Sequence, residues 1–274
     1  MNKIGIRAHD VGRFHADELA DRVRQLGFDG IQLVFKKALI DEVDFNHLEG
    51  LKKAFIKPSI MMLGAYFNPY HPNQNEVIKG IVTFKKHLEI AHELGCQYIG
   101  TETGSWMGSP WGYHPLNHRD LALDTITKTF QELASYAEKH DAYLTLEGAY
   151  HHVCYSPQRL AILKERLHSP AVKITIDLFN YLNIENHLHH VSILDESIRL
   201  FKDDIVIFHL KDYVVKDHKL VQVGLGQGLM NYPMIIHTIK KHCPDAFLIF
   251  EGVTGDDILS SYDYITTLLK GDLS

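Results

Sequence analysis

The feature that most constrains this chain is an eightfold alternation of short β-branched or aromatic runs with segments of helical periodicity. The runs are KIGIR (3–7), GIQLVF (30–35), SIMMLGAYF (59–67), YIGTETG (98–104), YLTLEG (143–148), VKITIDL (172–178), IVIFHLKD (205–212) and FLIFEG (247–252). Between them, apolar residues recur at three- and four-residue spacing, as in Leu19, Val23 and Leu26, in Val77, Ile81, Phe84, Leu88 and Ala91, and in Leu123, Ile126, Phe130, Leu133 and Ala137. Each set is the single buried stripe of an amphipathic helix. Strand, helix, strand repeated eight times demands parallel strands joined by right-handed crossovers.

With 274 residues and no linker between near-equal units, these repeats predict an α/β fold closed into a (β/α)8 TIM barrel, one domain spanning 1–274, in preference to an open doubly wound sheet. Local signals agree. Ser156-Pro157 offers an N-cap followed by proline at the first helical position, and Gly27 and Gly95 stand where helices should stop. Two stretches break the rhythm, both after the C-terminal ends of strands, where barrels build their sites. SWMGSPWGYHPLNHR (105–119) is a long connection holding both tryptophans. YVVKDHKLVQVGLGQGLM (213–230) reads as a hairpin turning at Lys216-Asp217, then a glycine-rich loop before a helix near Asn231.

Charge and composition narrow the partners. With 28 basic against 34 acidic side chains, the chain lacks the electrostatic footprint of a protein that binds nucleic acid or anionic membranes. No window approaches a membrane span, and MNKIGIRAHDVGRF lacks the apolar core of a signal peptide. Three widely spaced cysteines form neither a disulfide framework nor a zinc knuckle, so a cytoplasmic location is expected. Oligomeric state is left open, including a homo-oligomer through exposed helix faces.

In a barrel, the side chains that close the strands converge on one axial point. Strand five closes on Glu147, strand six on Asp177, strand seven on His209 and strand eight on Glu251, each about one strand-helix unit after the last. Each follows an apolar run and is therefore partly desolvated. Neighbouring carboxylates in such a place repel one another unless a cation intervenes, and a divalent ion with one imidazole removes that cost. Three hard oxygen ligands and one nitrogen suit Mn2+ best, with Mg2+, Co2+ or Zn2+ as alternatives.

These motifs carry a resemblance. From GFDGIQL at strand two through LTLEG, the aspartate of ITIDLFN, FHLKD with its sequel VGLGQG, and LIFEG, the chain resembles the sugar phosphate isomerase/epimerase family. That family is also called the xylose isomerase-like TIM barrel or AP endonuclease family 2. The resemblance implies that Glu147, Asp177, His209 and Glu251 bind one divalent metal ion, with Glu147 and Glu251 doubling as the catalytic acid/base pair. Family members commonly carry a substrate-holding histidine three residues after the strand-six aspartate; this chain has Asn180 there. The endonuclease activity in the family's name calls for an Asp-x-His after strand seven, where this chain has Gly-Leu-Gly-Gln-Gly.

The implied chemistry is an isomerisation or epimerisation of a small-molecule sugar or sugar phosphate: a proton is abstracted next to a carbonyl, and a metal-stabilised enediolate is reprotonated. A keto-inositol dehydratase begins with the same step, and a metal-binding barrel without turnover is the alternative from a different class. Glu147 and Glu251 rise from well-separated strands and can approach a substrate from two sides. Lys211, on the face of His209, is either a substrate donor or a partner of Asp212. Asn180, His9, Tyr66, Glu102 and Trp106 complete the substrate-binding candidates, with Asn68, Trp111 and His114 behind them. Gly224, Gly226 and Gly228 offer either backbone amides for a phosphate or a hinge. The pairs and clusters at His151, His152, His187, His189 and His190 are read as solvated or capping, although histidine is abundant at 19 residues.

Overall fold

Strands that are apolar on both faces have no solvent side, so they pack inside a layer of helices. The computed structural model, which describes residues 2–271, places eight of them in one closed parallel barrel in the order β1 (Ile4–Arg7), β10 (Phe247–Phe250), β7 (Ile205–Leu210), β6 (Val172–Asp177), β5 (Tyr143–Glu147), β4 (Tyr98–Glu102), β3 (Ser59–Gly64) and β2 (Gly30–Leu33). In chain order the elements run β1 (Ile4–Arg7), α1 (Ala8–Val11), α2 (Ala16–Gln25), β2 (Gly30–Leu33), α3 (Phe35–Ala38), α4 (Glu49–Ala54), β3 (Ser59–Gly64) and α5 (Gln74–Ile90). They continue as β4 (Tyr98–Glu102), α6 (Asp120–Lys139), β5 (Tyr143–Glu147), α7 (Pro157–Leu167), β6 (Val172–Asp177), α8 (His190–Phe201) and β7 (Ile205–Leu210). Last come β8 (Asp212–Lys216), β9 (Lys219–Val223), α9 (Tyr232–His242), β10 (Phe247–Phe250) and α10 (Asp257–Lys270). Closure falls at β1, which pairs with β2 through Gly5 and Gly30 and with β10 through Ile6 and Phe250.

The helical stripes pack as their spacing requires. Leu19 and Val23 of α2, Phe84 and Leu88 of α5, and Leu123, Ile126, Phe130, Leu133 and Ala137 of α6 are all buried against the barrel. Leu26 and Ile81 are half-buried at its edge. The Ser156 hydroxyl accepts from the Arg159 amide at 3.3 Å with Pro157 behind it, and Gly27 and Gly95 take left-handed φ values of 89° and 64°. No helix among the described residues is long and apolar enough to cross a membrane.

Parallel register brings the strand ends level, pairing Glu102 with Glu147 and Asp177 with His209. Some boundaries differ from the sequence expectation. β3 stops at Gly64 and β7 at Leu210; shortly beyond them Tyr66 bonds Gln32, and Lys211 reaches Asp177 and Glu251. Glu251 lies one residue past β10.

The expected hairpin forms from β8 and β9, but it turns one residue later, at Asp217 and His218. Both have positive φ, as the primed turns that match strand twist require. Gln222 of this hairpin donates to the Glu251 carbonyl, tying the excursion to the end of β10.

Candidate active site and metal centre

The four strand-closing residues converge. His209 Nδ1 lies 3.2 Å from Glu147 Oε2 and 3.0 Å from Glu251 Oε2. Glu147, Asp177 and His209, all buried, each offer a ligand atom within 4.8 Å of the others. Neither nitrogen of the His209 ring has a hydrogen-bond partner, although the ring is enclosed. Such an orphaned imidazole in a low-dielectric pocket is costly. Ligand atoms gathered ~2.1 Å around one cation stand roughly 3 Å from each other, the spacing His209 Nδ1 keeps to both glutamates. The donor set fits a divalent ion, with Glu251 at its edge, outside the tightest group of three.

Two cations and an amide brace the carboxylates. Lys211 Nζ is 2.8 Å from both Asp177 Oδ2 and Glu251 Oε1, and it donates to Asn180 Oδ1 at 3.1 Å. Asn180 in turn gives Nδ2 to Glu147 Oε1 at 2.5 Å, and its backbone amide bonds Asp177 Oδ1 at 3.1 Å. Arg7, closing β1, reaches Glu251 Oε1 at 2.7 Å.

The charges set the proton affinities. Burial favours the neutral form of Glu251, but Lys211, His209 and Arg7 together hold its carboxyl below the ordinary range. Burial pushes Asp177 up to about 6 despite Lys211, with Glu147 and Glu251 adding to the rise. His209 stands at about 9, because the two glutamates outweigh its burial. Burial and the charges of Glu147 and Glu251 raise Glu102 to about 8.

The remaining candidates divide. Glu102 Oε1 lies 3.8 Å from His152 Nδ1, which is buried and unpartnered, and the Trp111 ring meets His152 edge-on at 5.5 Å. Tyr66 accepts from Gln32 Nε2 at 2.7 Å, and burial together with Glu147, Glu251 and Glu102 raises its hydroxyl far above the ordinary value. His9, half-buried beside Arg7, is lowered to about 4 by burial and by that neighbour. Trp106 packs on Tyr70 at 5.2 Å, and its backbone amide is taken by Asn117. Asn68 uses its whole amide to brace the long loop, bonding Ser105, Gly108 and Tyr70. His114 accepts from the Leu116 amide.

Three expectations need correction. Lys211 does not pair with Asp212. That carboxylate is buried and accepts backbone N–H groups from Tyr213, Gly226, Gly228 and Met230 at 2.8–3.0 Å. The amides of Gly226 and Gly228 are therefore engaged internally instead of facing a phosphate. Glycine is needed there because a Cβ on Gly228 would collide with the Asp212 carboxylate and the Tyr213 carbonyl, while Gly226 sits at φ 86°.

His152 is buried, contrary to a solvated reading, whereas His190 does cap, accepting from the Asn231 amide at 3.0 Å. Arg7, Asp10 and Gln32 were missed. The one available signal was that Arg7 closes a strand as the four ligands do.

The family profile described as xylose isomerase-like TIM barrel matches residues 20–263. No curated protein matches the chain by sequence. Similar solved structures include a xylose isomerase-like TIM barrel protein from Mycobacterium smegmatis in complex with magnesium, 16% identical with TM-score 0.75, covering 98% of this chain and 96% of that one. A D-tagatose 3-epimerase-like protein is 18% identical with TM-score 0.77, over 98% and 97% of the two chains. A 3-keto-D-glucoside 4-epimerase from E. coli is 15% identical with TM-score 0.73, over 97% and 100%.

Proposed function

The chain belongs to the xylose isomerase-like TIM barrel family, and from that premise we propose that it is a divalent-metal-dependent isomerase or epimerase of a ketose or keto-sugar. The observation that carries the reading is that Glu147 and Glu251 each turn one oxygen toward His209 while the other oxygen is anchored by Asn180 or by Arg7 and Lys211. Similarity to a tagatose 3-epimerase-like protein and a keto-glucoside epimerase agrees with it.

Moving a proton on carbon next to a carbonyl needs a base, an acid and relief of the negative charge that develops. Glu251 is kept ionised by its cationic neighbours, so it holds no proton and is the carboxylate open to accept the substrate's. Glu147 stands across the pole on β5, separated from β10 by β6 and β7, so it can return a proton from the other side. Positioned proton transfer of this kind contributes ~10²–10⁴-fold. Glu102, whose carboxyl is raised to about 8 by burial and by the charges of Glu147 and Glu251, can donate to a substrate oxygen in its protonated form.

Glu147, Asp177, His209 and Glu251 would hold the ion, Mn2+ by ligand hardness, which when bound supplies Lewis-acid stabilisation of that charge worth several kcal/mol. An unphosphorylated sugar is favoured over a sugar phosphate. Arg7 and Lys211 are both engaged by carboxylates, and Asp212 already takes the glycine-loop amides.

The test is solvent-deuterium incorporation into a panel of ketoses and ketose phosphates, with and without chelator. Exchange that chelation abolishes and Mn2+ restores is expected. Failure of every substrate to exchange with Mn2+ present would remove the enzyme reading.

A further inference from the structure

Glu251 differs from the other three candidate ligands in how it is held. Asp177, His209 and Glu147 lie within strands, where ladder hydrogen bonds fix the backbone, and their side chains are 0–3% exposed. Glu251 lies just past β10 with its side chain 12% exposed. Its amide still donates to the Leu210 carbonyl of β7 and its carbonyl accepts from Gln222, so the backbone is held, but the less enclosed side chain takes its orientation from its own partners. The obvious neighbour, Lys211, does not decide it, because its ammonium is divided among Asp177, Glu251 and Asn180.

Arg7 is not divided in that way. Its Nε and Nη2 donate to the two oxygens of Asp10 at 2.9 and 2.8 Å, a planar fork that fixes the guanidinium. Nη1 is thereby aimed at Glu251 Oε1, 2.7 Å away. Asp10 is itself pinned, since Oδ2 also accepts from the Gly252 amide at 2.6 Å. The circuit closes on the residue next to the glutamate it serves, joining the first barrel strand to the end of the last.

We infer that Arg7, anchored by Asp10, is a positioning residue that occupies Glu251 Oε1 and so presents Oε2 alone to the candidate metal centre. The inference rests on the metal reading above and names the device that makes Glu251 a ligand through one oxygen. It has a property that separates it from a plain charge effect. Removing a cation beside a cation site should tighten metal binding by electrostatics alone. Loss of orientation should weaken it, and outer-shell partners of metal ligands are worth ~10–100-fold in affinity.

The experiment is Mn2+ binding by calorimetry to the full-length, metal-stripped protein and to the R7Q, R7K, D10N, E251Q and R7Q/E251Q variants, with circular dichroism and melting curves recorded beside it. R7Q should bind Mn2+ ~10–100-fold more weakly than wild type at unchanged secondary structure, and R7K, a point charge without the fork, should recover only part of that loss. In the E251Q background R7Q should add less than about twofold, because the carboxylate it presents to the ion is gone.

Equal or tighter binding by R7Q, or an equal loss in both backgrounds, overturns the inference. Should R7Q not fold, D10N carries the test, and unchanged affinity in D10N overturns it. A wild type that takes up no Mn2+ sinks the metal reading and the inference together, whereas a wild type that binds beside an indifferent R7Q sinks the inference alone.

Discussion

Asn180 Nδ2 donates to Glu147 Oε1 at 2.5 Å. Through its other atom the same amide accepts from Lys211 at 3.1 Å, so one short side chain sets a glutamate's outer oxygen and spaces it from the lysine. N180A should therefore lower the rate of deuterium exchange ~10–100-fold with a smaller change in KM, since the loss falls on how Glu147 is aimed. N180D, which sets a carboxylate against Glu147, should be worse than N180A. Equal exchange rates for wild type and N180A would remove Asn180 from the working site.

Metal content tests the donor set directly. E147Q and H209A each remove one of the three most closely gathered ligands, and both should come through purification with well under half the wild-type metal content by elemental analysis. Full occupancy in both variants would place the ion elsewhere.

The Asp212 carboxylate should be a stability residue. In D212A four backbone N–H groups lose their acceptor, and at ~1–3 kcal/mol for a buried orphaned donor the cost should be at least about 3 kcal/mol, or ~6 °C or more in Tm. D212N should also destabilise, because its NH2 would oppose two of those donors. A Tm within ~2 °C of wild type for D212A would mean that the loop satisfies itself with water.

His152 gives the fold an acid-sensitive point. Burial, and then the neighbouring His151, lowers it to about 4, while in the unfolded chain it takes a proton near 6.5. Between those values the unfolded state binds more protons, so stability contributed by the neutral ring is present above 6.5 and drains away toward 4. From pH 7 to 4.5, in chelator, wild type should lose about 2–3 kcal/mol more than H152Q in urea titrations. Equal losses would show that water reaches the ring.

The barrel was legible because each strand is apolar on both faces and each helix has one stripe, patterns that local spacing alone imposes. The convergence of Glu147, Asp177, His209 and Glu251 followed, since strand ends meet wherever parallel register is kept. Arg7 escaped notice because an arginine closing a strand looks like a solvated end. Only the return of β10 beside β1 brings Glu251 to it. The role of the glycine loop stayed open for a similar reason. The acceptor of its amides, Asp212, stands more than ten residues earlier, and no short-range pattern links them.

The long connection after β4 is held through its main chain. Asn68 binds the carbonyls of Ser105 and Gly108, while the Ser105 hydroxyl and Asn117 both bind that of Gly112. A carbonyl is the same on every residue, so apart from Gly108 with its φ of 90°, these anchors do not themselves choose the side chains between them. Within 109–116, however, Trp111 meets the His152 ring, Tyr113 stacks on Tyr150 and His114 accepts from the Leu116 amide, so the segment is exchangeable only where those contacts are spared. On the proposed function, a library at the exposed Ser109 and Pro115 should alter substrate preference while those contacts and the four candidate ligands keep their places.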